Sequence, residues 1–141
     1  MNIRLKKEQK IKITNSEAIF EIMKKVLLRE NTIGRKKEHF WVIGLATNRK
    51  LQYLELVSLG SVSVAIVNPM EVFSFAVQKK TPNIILVHNH PSDELEPSNN
   101  DMEITEKIIE GGKLLNITVL DHIIITPNKY YSFCDEVVLH K

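Results

Sequence analysis

The residues best suited to chemistry lie in a short stretch between positions 88 and 101. His88 and His90 are separated by one residue, and Pro91 follows them. In an extended segment the side chains at positions i and i+2 point to the same side, so two imidazoles can converge on one ion. Ser98 and Asp101 follow, and the Asp101 carboxylate would supply a third ligand. Three protein ligands and one water are typical of a catalytic zinc site, so a metal-dependent hydrolase is the first hypothesis.

Each part of this stretch also has a structural interpretation. The two histidines could form a polar turn at the end of a strand, and Ser98 and Asp101 could be a helix cap and an acid that stabilises the helix start. The conjunction is more informative than its parts: an apolar run, the histidine pair, a loop, and then a Ser-x-x-Asp sequence that opens a helix. Pro91 also biases His90 towards an extended backbone. Together these features favour a preformed metal site.

Composition limits what else the protein could be. Its 141 residues suit one domain, and its 43% hydrophobic and 26% charged residues are ordinary for a globular protein in water. No apolar run approaches the roughly 20 residues that span a bilayer, and no secretory signal is evident, so we expect a cytoplasmic protein without membrane contact. Cys134 is the only cysteine, which excludes an intrachain disulfide and a Cys-rich zinc cluster. A metal site must therefore be built from histidine and carboxylate ligands.

Charge is unevenly distributed along the chain. The net charge is +2, but residues 1–37 carry a balance of +7 and residues 38–141 a balance of −5. We therefore expect a basic N-terminal arm and helix (1–37) on an acidic body (38–141), together forming one globular unit. The arm could contact DNA or an acidic partner. The simpler interpretation is a solvated terminus, because aromatic residues that would stack on bases are not interleaved with its basic residues.

The hydrophobic pattern predicts eight elements in the order αββαβαββ. The predicted elements are a helix from Thr14, capped by Thr14 and Glu17, to Leu28; strands 40–46 and 51–59; a helix capped by Asn68 with Pro69 at its first position; a buried strand 84–87; a helix from Ser98 to about Leu115; and strands 117–125 and 129–133. Segments 31–37 and 89–97 are predicted loops. The fold class is therefore α/β (α+β), with a mixed sheet between helices. The histidines follow a central strand at its carboxyl end, where active sites of such folds commonly lie.

The motif resembles a known metalloprotease signature. His88-x-His90-Pro91, followed after a loop by Ser98-x-x-Asp101, resembles the JAMM motif of the JAB/MPN domain. More narrowly, the chain from about Glu38 to Phe133 resembles the bacterial RadC family, and the similarity is carried by His88-Asn89-His90-Pro91-Ser92, Asp121-His122-Ile-Ile-Ile and Tyr130-Tyr131-Ser132-Phe133. The resemblance implies a single JAB/MPN-like domain over residues 38–141 with a cytidine-deaminase-like architecture.

The resemblance also implies roles for individual residues. One zinc ion per chain would be held by His88, His90 and Asp101. Glu38 would act as general base, and the Ser98 hydroxyl would donate to the developing oxyanion. By spacing alone Glu38 is an ordinary surface acid before a strand. The bond cleaved would be a peptide or isopeptide amide in an unknown protein or peptide substrate.

The family name suggests an alternative function. RadC proteins are commonly named for DNA repair, so the chain could be a DNA-associated accessory protein, in DNA repair or mobile-element biology, with little or no hydrolase activity. We expect this chain to be too short for the family's N-terminal helix-hairpin-helix region. Asp93 replaces the family's usual glycine, and with Glu94 and Glu96 it makes the loop acidic, which would repel a nucleic-acid backbone. A zinc nucleobase deaminase is disfavoured because its cysteine motif is missing.

Asp121 and His122 form a further candidate pair. They are adjacent in a predicted strand, so their side chains should face opposite sides of the sheet. His122 could orient a metal ligand. A hydrogen-bonded structural histidine is the interpretation that the sequence favours.

Overall fold

A six-stranded mixed sheet with helices on both faces forms the framework of the protein. The structure is a computed structural model that describes residues 2–3 and 12–136. Its elements are β1 (Asn2–Ile3), α1 (Ser16–Leu28), α2 (Thr32–Arg35), β2 (Glu38–Leu45), β3 (Leu51–Gly60), α3 (Pro69–Lys79), β4 (Asn83–Asn89), α4 (Asn99–Leu115), β5 (Thr118–Ile125) and β6 (Tyr130–Ser132). The predicted fold class is confirmed. All eight predicted elements are present, and β1 and α2 are additional.

The strand order places the predicted central strand in the middle of the sheet. The order is β1-β3-β2-β4-β5-β6, and β4 is antiparallel to β2 but parallel to β5. The side chains of β4 from Ile84 to Asn89 are all buried, because helices cover both faces of this strand. The chain leaves the carboxyl end of β4 at His90, whose backbone N–H still donates to the carbonyl of Ile125 in β5.

Two apolar clusters lie on opposite faces of the sheet. Alternate residues of β2 and β4 divide between them, as the twofold periodicity of strands requires. Trp41 and Val87 pack with α1 on one face. Phe40 and Leu86 pack on the other face with Ile104 of α4 and with α3. His88 follows Leu86 by two residues, so its side chain lies on the face that α3 and α4 cover.

Each long helix begins at a capping side chain. Asn68 caps α3, as predicted, and Ser98 caps α4. The predicted cap of α1 was wrong by one residue: Asn15, not Thr14, accepts a hydrogen bond from the backbone N–H of Ala18. Thr14 and Asn15 are both good capping residues, so their preferences alone do not decide between them.

The segment predicted as the loop 31–37 contains the short helix α2. Asn31 caps it by accepting from the N–H of Gly34 at 2.7 Å. Arg35 connects this helix to α1, because its guanidinium donates to the carbonyls of Leu28 and Glu30 at the end of α1. This segment therefore has an ordered path into β2, which begins at Glu38.

Most of the predicted basic arm, at residues 1 and 4–11, lies outside the described residues. Among residues 2–3 and 12–136, no helix combines the length and the apolar character that crossing a membrane requires.

Candidate metal centre

His88, His90 and Asp101 come together on the face of the sheet that α3 and α4 cover. His88 is the penultimate residue of β4, His90 follows that strand, and Asp101 lies in the first turn of α4. His88 Nε2 and His90 Nε2 are 2.9 Å apart. His88 Nε2 lies 3.2 Å from Asp101 Oδ1, and His90 Nε2 lies 3.1 Å from Asp101 Oδ2. The structure thus places all three predicted ligand residues within reach of one ion.

The spacing of these atoms matches a small tetrahedral ion. Ligand atoms about 2.0 Å from a shared tetrahedral centre are about 3.3 Å from one another. The observed separations of 2.9–3.2 Å are near this value, with the two histidines facing different oxygens of the Asp101 carboxylate. Two imidazoles and a carboxylate are also a donor set that zinc accepts. The residues present therefore fit a divalent metal such as zinc.

The Asp101 side chain is oriented by the start of its own helix. Its Oδ2 accepts from the backbone N–H of Ser98 at 2.9 Å, and the Ser98 hydroxyl oxygen accepts from the N–H of Asp101 at 3.0 Å. This reciprocal pair is a capping box. The sequence offered a helix cap and a metal ligand as alternatives for Asp101, but the two are compatible in the structure. The cap orients the carboxylate that faces the histidines.

The electrostatics of the cluster favour positive charge where these atoms meet. Burial opposes ionisation of Asp101, but hydrogen bonds with His88 and His90 outweigh it and hold the pKa of the carboxyl well below its usual range. Burial lowers the pKa of His90, but its hydrogen bonds with Asp101 and with the Glu94 carbonyl more than offset this and raise it overall. A cation at this point, whether a proton or a metal ion, is therefore stabilised.

His90 is held by a second contact that leaves one ring nitrogen for a metal. Its Nδ1 lies 2.6 Å from the backbone carbonyl oxygen of Glu94. A carbonyl can only accept, so Nδ1 carries the hydrogen and, in the neutral ring, Nε2 presents its lone pair to the cluster. The loop that supplies this carbonyl turns at Asp93, whose φ of +68° lies in the region that favours glycine. Asp93, where the resemblance led us to expect glycine, therefore has a backbone conformation that glycine adopts more readily.

Glu38 lies on the same face as the three ligands. It begins β2, and Phe40 pairs with His88 in the antiparallel register of β2 and β4. Extending that register by two residues places Glu38 opposite His90. Its negative charge contributes to the raised pKa of His90, after the larger effects of burial and of Asp101. Glu38 is half-buried, so part of the residue is accessible to water.

A buried histidine that the sequence did not assign to the site lies behind His88. His122 of β5 is fully buried, and its Nε2 is 2.7 Å from His88 Nδ1. Burial is the main cause that lowers the pKa of His122 well below its usual value. As predicted, Asp121 faces the other side and accepts from the Ser132 hydroxyl. Parallel pairing of β4 and β5, which local sequence does not reveal, brings the two histidines together.

Two depressions in the surface differ in character. A cleft of about 180 Å³ adjoins His90 and is lined in part by Leu27, Lys36 and Pro127. A larger apolar groove of about 550 Å³ lies elsewhere, between α3 and the end of α4, and its lining contains no metal-binding or titratable side chain. The smaller cleft therefore meets the α1 face of the sheet, to which Leu27 belongs, and neither depression is lined by His88 or Asp101.

Comparison with known proteins finds matches over most of the chain. A family model described as RadC-like JAB domain matches residues 13–138. A UPF0758 protein of Methanosarcina mazei is 41% identical over 92% of this chain and 54% of its own length. UPF0758 proteins of Alkaliphilus metalliredigens and Caldanaerobacter subterraneus are 45% and 46% identical over 80% and 76% of the chain, and 49% of their own lengths. The chain thus spans about half the length of these curated relatives.

Proposed function

Because the chain belongs to the RadC-like JAB domain family, we propose that it is a metal-dependent hydrolase that cleaves a peptide or isopeptide bond. The observation that carries the proposal is the convergence of His88, His90 and Asp101 within hydrogen-bonding distance of one another, with Glu38 on the same face. Three ligands leave one position of a tetrahedral ion open, which is the arrangement of catalytic rather than structural zinc.

We propose one zinc ion per chain, held by the Nε2 atoms of both histidines and by the Asp101 carboxylate. When bound, such an ion supplies Lewis acidity that activates water and polarises a carbonyl group. The protein supplies the rest of the chemistry. Glu38 is the proposed general base, which takes a proton from the attacking water and returns it to the leaving amine.

The Ser98 hydroxyl is the proposed donor to the oxyanion that forms on the scissile carbonyl. Ser98 is exposed, and its oxygen accepts from the N–H of Asp101, a bond that does not use the hydroxyl hydrogen. That hydrogen can therefore be donated to substrate while the cap stays intact. The contact also keeps the hydroxyl close to Asp101 and hence to the proposed ion.

The substrate is proposed to be a protein or peptide. The exposed acidic residues of the site loop, Asp93, Glu94 and Glu96, disfavour a phosphate backbone next to the proposed ion. Association with DNA through the basic arm stays a prediction from sequence. Salt-sensitive duplex binding that is lost on deleting residues 1–12 would support it.

Metal content is the first test. We expect about one zinc per chain by elemental analysis, and loss of zinc in His88→Ala and His90→Ala. Glu96→Gln, which removes an exposed carboxylate of the same loop, serves as the matched control and should keep its zinc. A wild-type protein that cannot be loaded with zinc at neutral pH would exclude the proposed function.

Cleavage of a peptide library, read by mass spectrometry, is the second test. Glu38→Gln preserves the shape of the side chain but removes its basicity. We expect it to keep zinc and to lose about 10²- to 10⁴-fold in rate, the usual contribution of a general base. Cleavage by zinc-loaded Glu38→Gln at the wild-type rate would refute the role of Glu38. No cleavage by zinc-loaded wild type would favour the accessory function instead.

A further inference from the structure

A chain of hydrogen bonds runs behind His88 and away from the proposed ion. His88 Nδ1 lies 2.7 Å from His122 Nε2, and His122 Nδ1 lies 2.5 Å from the Thr105 hydroxyl oxygen. The same hydroxyl lies 2.8 Å from the backbone carbonyl of Asp101, one helical turn earlier. This chain of hydrogen bonds therefore begins at the side chain of one proposed ligand, His88, and ends at the backbone of another, Asp101.

The donors and acceptors along this chain of hydrogen bonds allow only one direction of donation. The Thr105 hydroxyl has a single hydrogen, and the Asp101 carbonyl can only accept, so the hydrogen points to that carbonyl. His122 Nδ1 must then carry a hydrogen and donate to Thr105. In a neutral imidazole the other nitrogen is an acceptor, so His122 Nε2 accepts from His88 Nδ1. His88 Nε2 is consequently left with its lone pair facing His90 and Asp101.

We propose that His122 and Thr105 are positioning residues that hold His88 in the one neutral tautomer whose Nε2 can bind a metal. The inference rests on the metal site of the proposed function but not on hydrolysis. In the opposite direction, Thr105 would donate to His122 and His122 to His88. The hydrogen of His88 would then sit on Nε2, between the ring and the proposed ion, and the Asp101 carbonyl would face an oxygen without a hydrogen.

Aromatic rings pack against His122 on two sides. Phe133 stacks on one side with ring centroids 4.6 Å apart, and the Phe40 ring meets it edge-on at 5.9 Å. His122 and Thr105 are both almost fully buried, so water does not compete for their hydrogen bonds. Both nitrogens of His122 are committed to His88 and Thr105. His122 therefore supports a ligand and is not itself a fourth ligand.

Nitrogen-15 NMR of the wild type, both without metal and loaded with zinc, tests the direction of the chain. Long-range ring correlations distinguish a protonated Nδ1 from a protonated Nε2. We expect a protonated Nδ1 in both His88 and His122. A protonated Nε2 in His122 would reverse the chain and overturn the proposal. This measurement needs no variant, so it decides the question even if substitutions in the core prevent folding.

The zinc affinities of matched variants test whether these hydrogen bonds support metal binding. We expect His122→Phe and Thr105→Val to bind zinc about 10- to 100-fold more weakly than wild type, the usual effect of losing a group that orients a ligand. His122→Gln and Thr105→Ser, which keep a hydrogen-bonding atom, should restore most of the affinity. Phe133→Leu is the control, because it loosens the packing around His122 without removing a hydrogen bond. It should lower the free energy of unfolding but leave zinc affinity within about threefold.

The outcomes separate this proposal from the one on which it rests. If the wild type binds no zinc, the metal site and the positioning role are both wrong. If the wild type binds zinc and His122→Phe and Thr105→Val bind it equally well, only the positioning role is wrong. The same holds if Phe133→Leu weakens zinc binding as much as His122→Phe, because packing alone would then explain the effect.

Discussion

Asn89 holds the backbone on both sides of Glu38. Its Oδ1 accepts from the N–H of His39 at 2.6 Å, and its Nδ2 donates to the carbonyl of Lys37 at 3.0 Å. Asn89 stands between the two histidines in the chain, so one buried amide connects the proposed ligands to the strand that begins with the proposed base. The hydrogen bonds from the Asn89 side chain to the backbone on both sides of Glu38 therefore fix the position of Glu38 relative to His88.

Replacing Asn89 should uncouple the base from the metal site. In Asn89→Ala the N–H of His39 loses its acceptor, which should lower the free energy of unfolding by about 1–3 kcal/mol. Zinc should stay at about one per chain, because Asn89 touches no proposed ligand side chain. Hydrolysis should fall by about 10²-fold, since a displacement of about 1 Å has that effect on catalysis.

Asn89→Asp sharpens this test, because it keeps the acceptor for His39 but loses the donor to Lys37. Urea unfolding, zinc analysis and peptide cleavage measure the three quantities separately. Zinc-loaded Asn89→Ala that cleaves at the wild-type rate would show that Glu38 does not depend on this amide.

The residues of the proposed metal site could be identified from sequence because their geometry is local. His88 and His90 share one face of an extended segment, and Asp101 lies on the inward stripe of the helix that Ser98 opens. Helix α2 was not predicted, because four residues are too few to show a helical period. Its Asn31 cap can be recognised only once the helix is seen in the structure.

The partners that come from distant parts of the chain could not be found by spacing. Glu38 is 50 residues from His88 in sequence, and only the family resemblance pointed to it. The contact of His122 with His88 depends on the parallel register of β4 and β5, which contains an irregularity between Ile84 and Ile85. Which strands become neighbours depends on the whole sheet, so the pattern of β5 alone does not show that it lies beside β4.

Ser98 combines a cap with a proposed catalytic donor, and a matched pair of variants separates the two roles. Ser98→Ala and Asn15→Ala each remove the N-cap of a long helix, so each should lower the free energy of unfolding by about 1 kcal/mol. Only Ser98→Ala should also lower kcat, by about 10²- to 10³-fold, as loss of an oxyanion donor does.

Zinc should be retained in Ser98→Ala, because the backbone N–H of Ser98 still orients Asp101. Thermal unfolding and single-turnover cleavage of the zinc-loaded variants measure the two effects. Equal cleavage rates for Ser98→Ala and Asn15→Ala would show that Ser98 acts only as a helix cap.

Gly112 allows α4 to pass close to the strand that follows it. A Cβ at this position would lie 2.4 Å from the carbonyl oxygen of Ile117. The obstacle is backbone, so Gly112→Ala should shift the helix and lower the free energy of unfolding by about 1–3 kcal/mol or more. Asp101 begins the same helix, so zinc affinity should fall as well.

Gly111→Ala is the matched control for Gly112→Ala. Its Cβ would meet only the edge of the Phe73 ring, at 3.1 Å. The greater helix propensity of alanine, about 1 kcal/mol, offsets the small adjustment that this contact demands. Chemical denaturation should therefore separate the two neighbours, and equal destabilisation would show that helix position does not depend on Gly112.

The buried carboxyl of Asp121 makes stability depend on pH. Burial raises its pKa above the ordinary value of 3.8, although hydrogen bonds from the Ser132 hydroxyl and the Cys134 N–H favour the ionised form. The folded state then binds this proton more tightly than the unfolded state. The resulting stability is fully present below the ordinary pKa and is lost as pH rises through the folded pKa.

Asp121→Asn should remove this loss, because asparagine does not ionise while its amide keeps an acceptor for the Cys134 N–H. The free energy of unfolding of the variant, minus that of wild type, should therefore increase between about pH 3 and pH 7. Urea titrations across this range measure the difference, and Glu103→Gln, which removes an exposed carboxylate of α4, corrects for the loss of one negative charge. A difference that decreases with pH would mean that the hydrogen bonds from Ser132 and Cys134 outweigh burial, so that the folded protein prefers the ionised carboxylate.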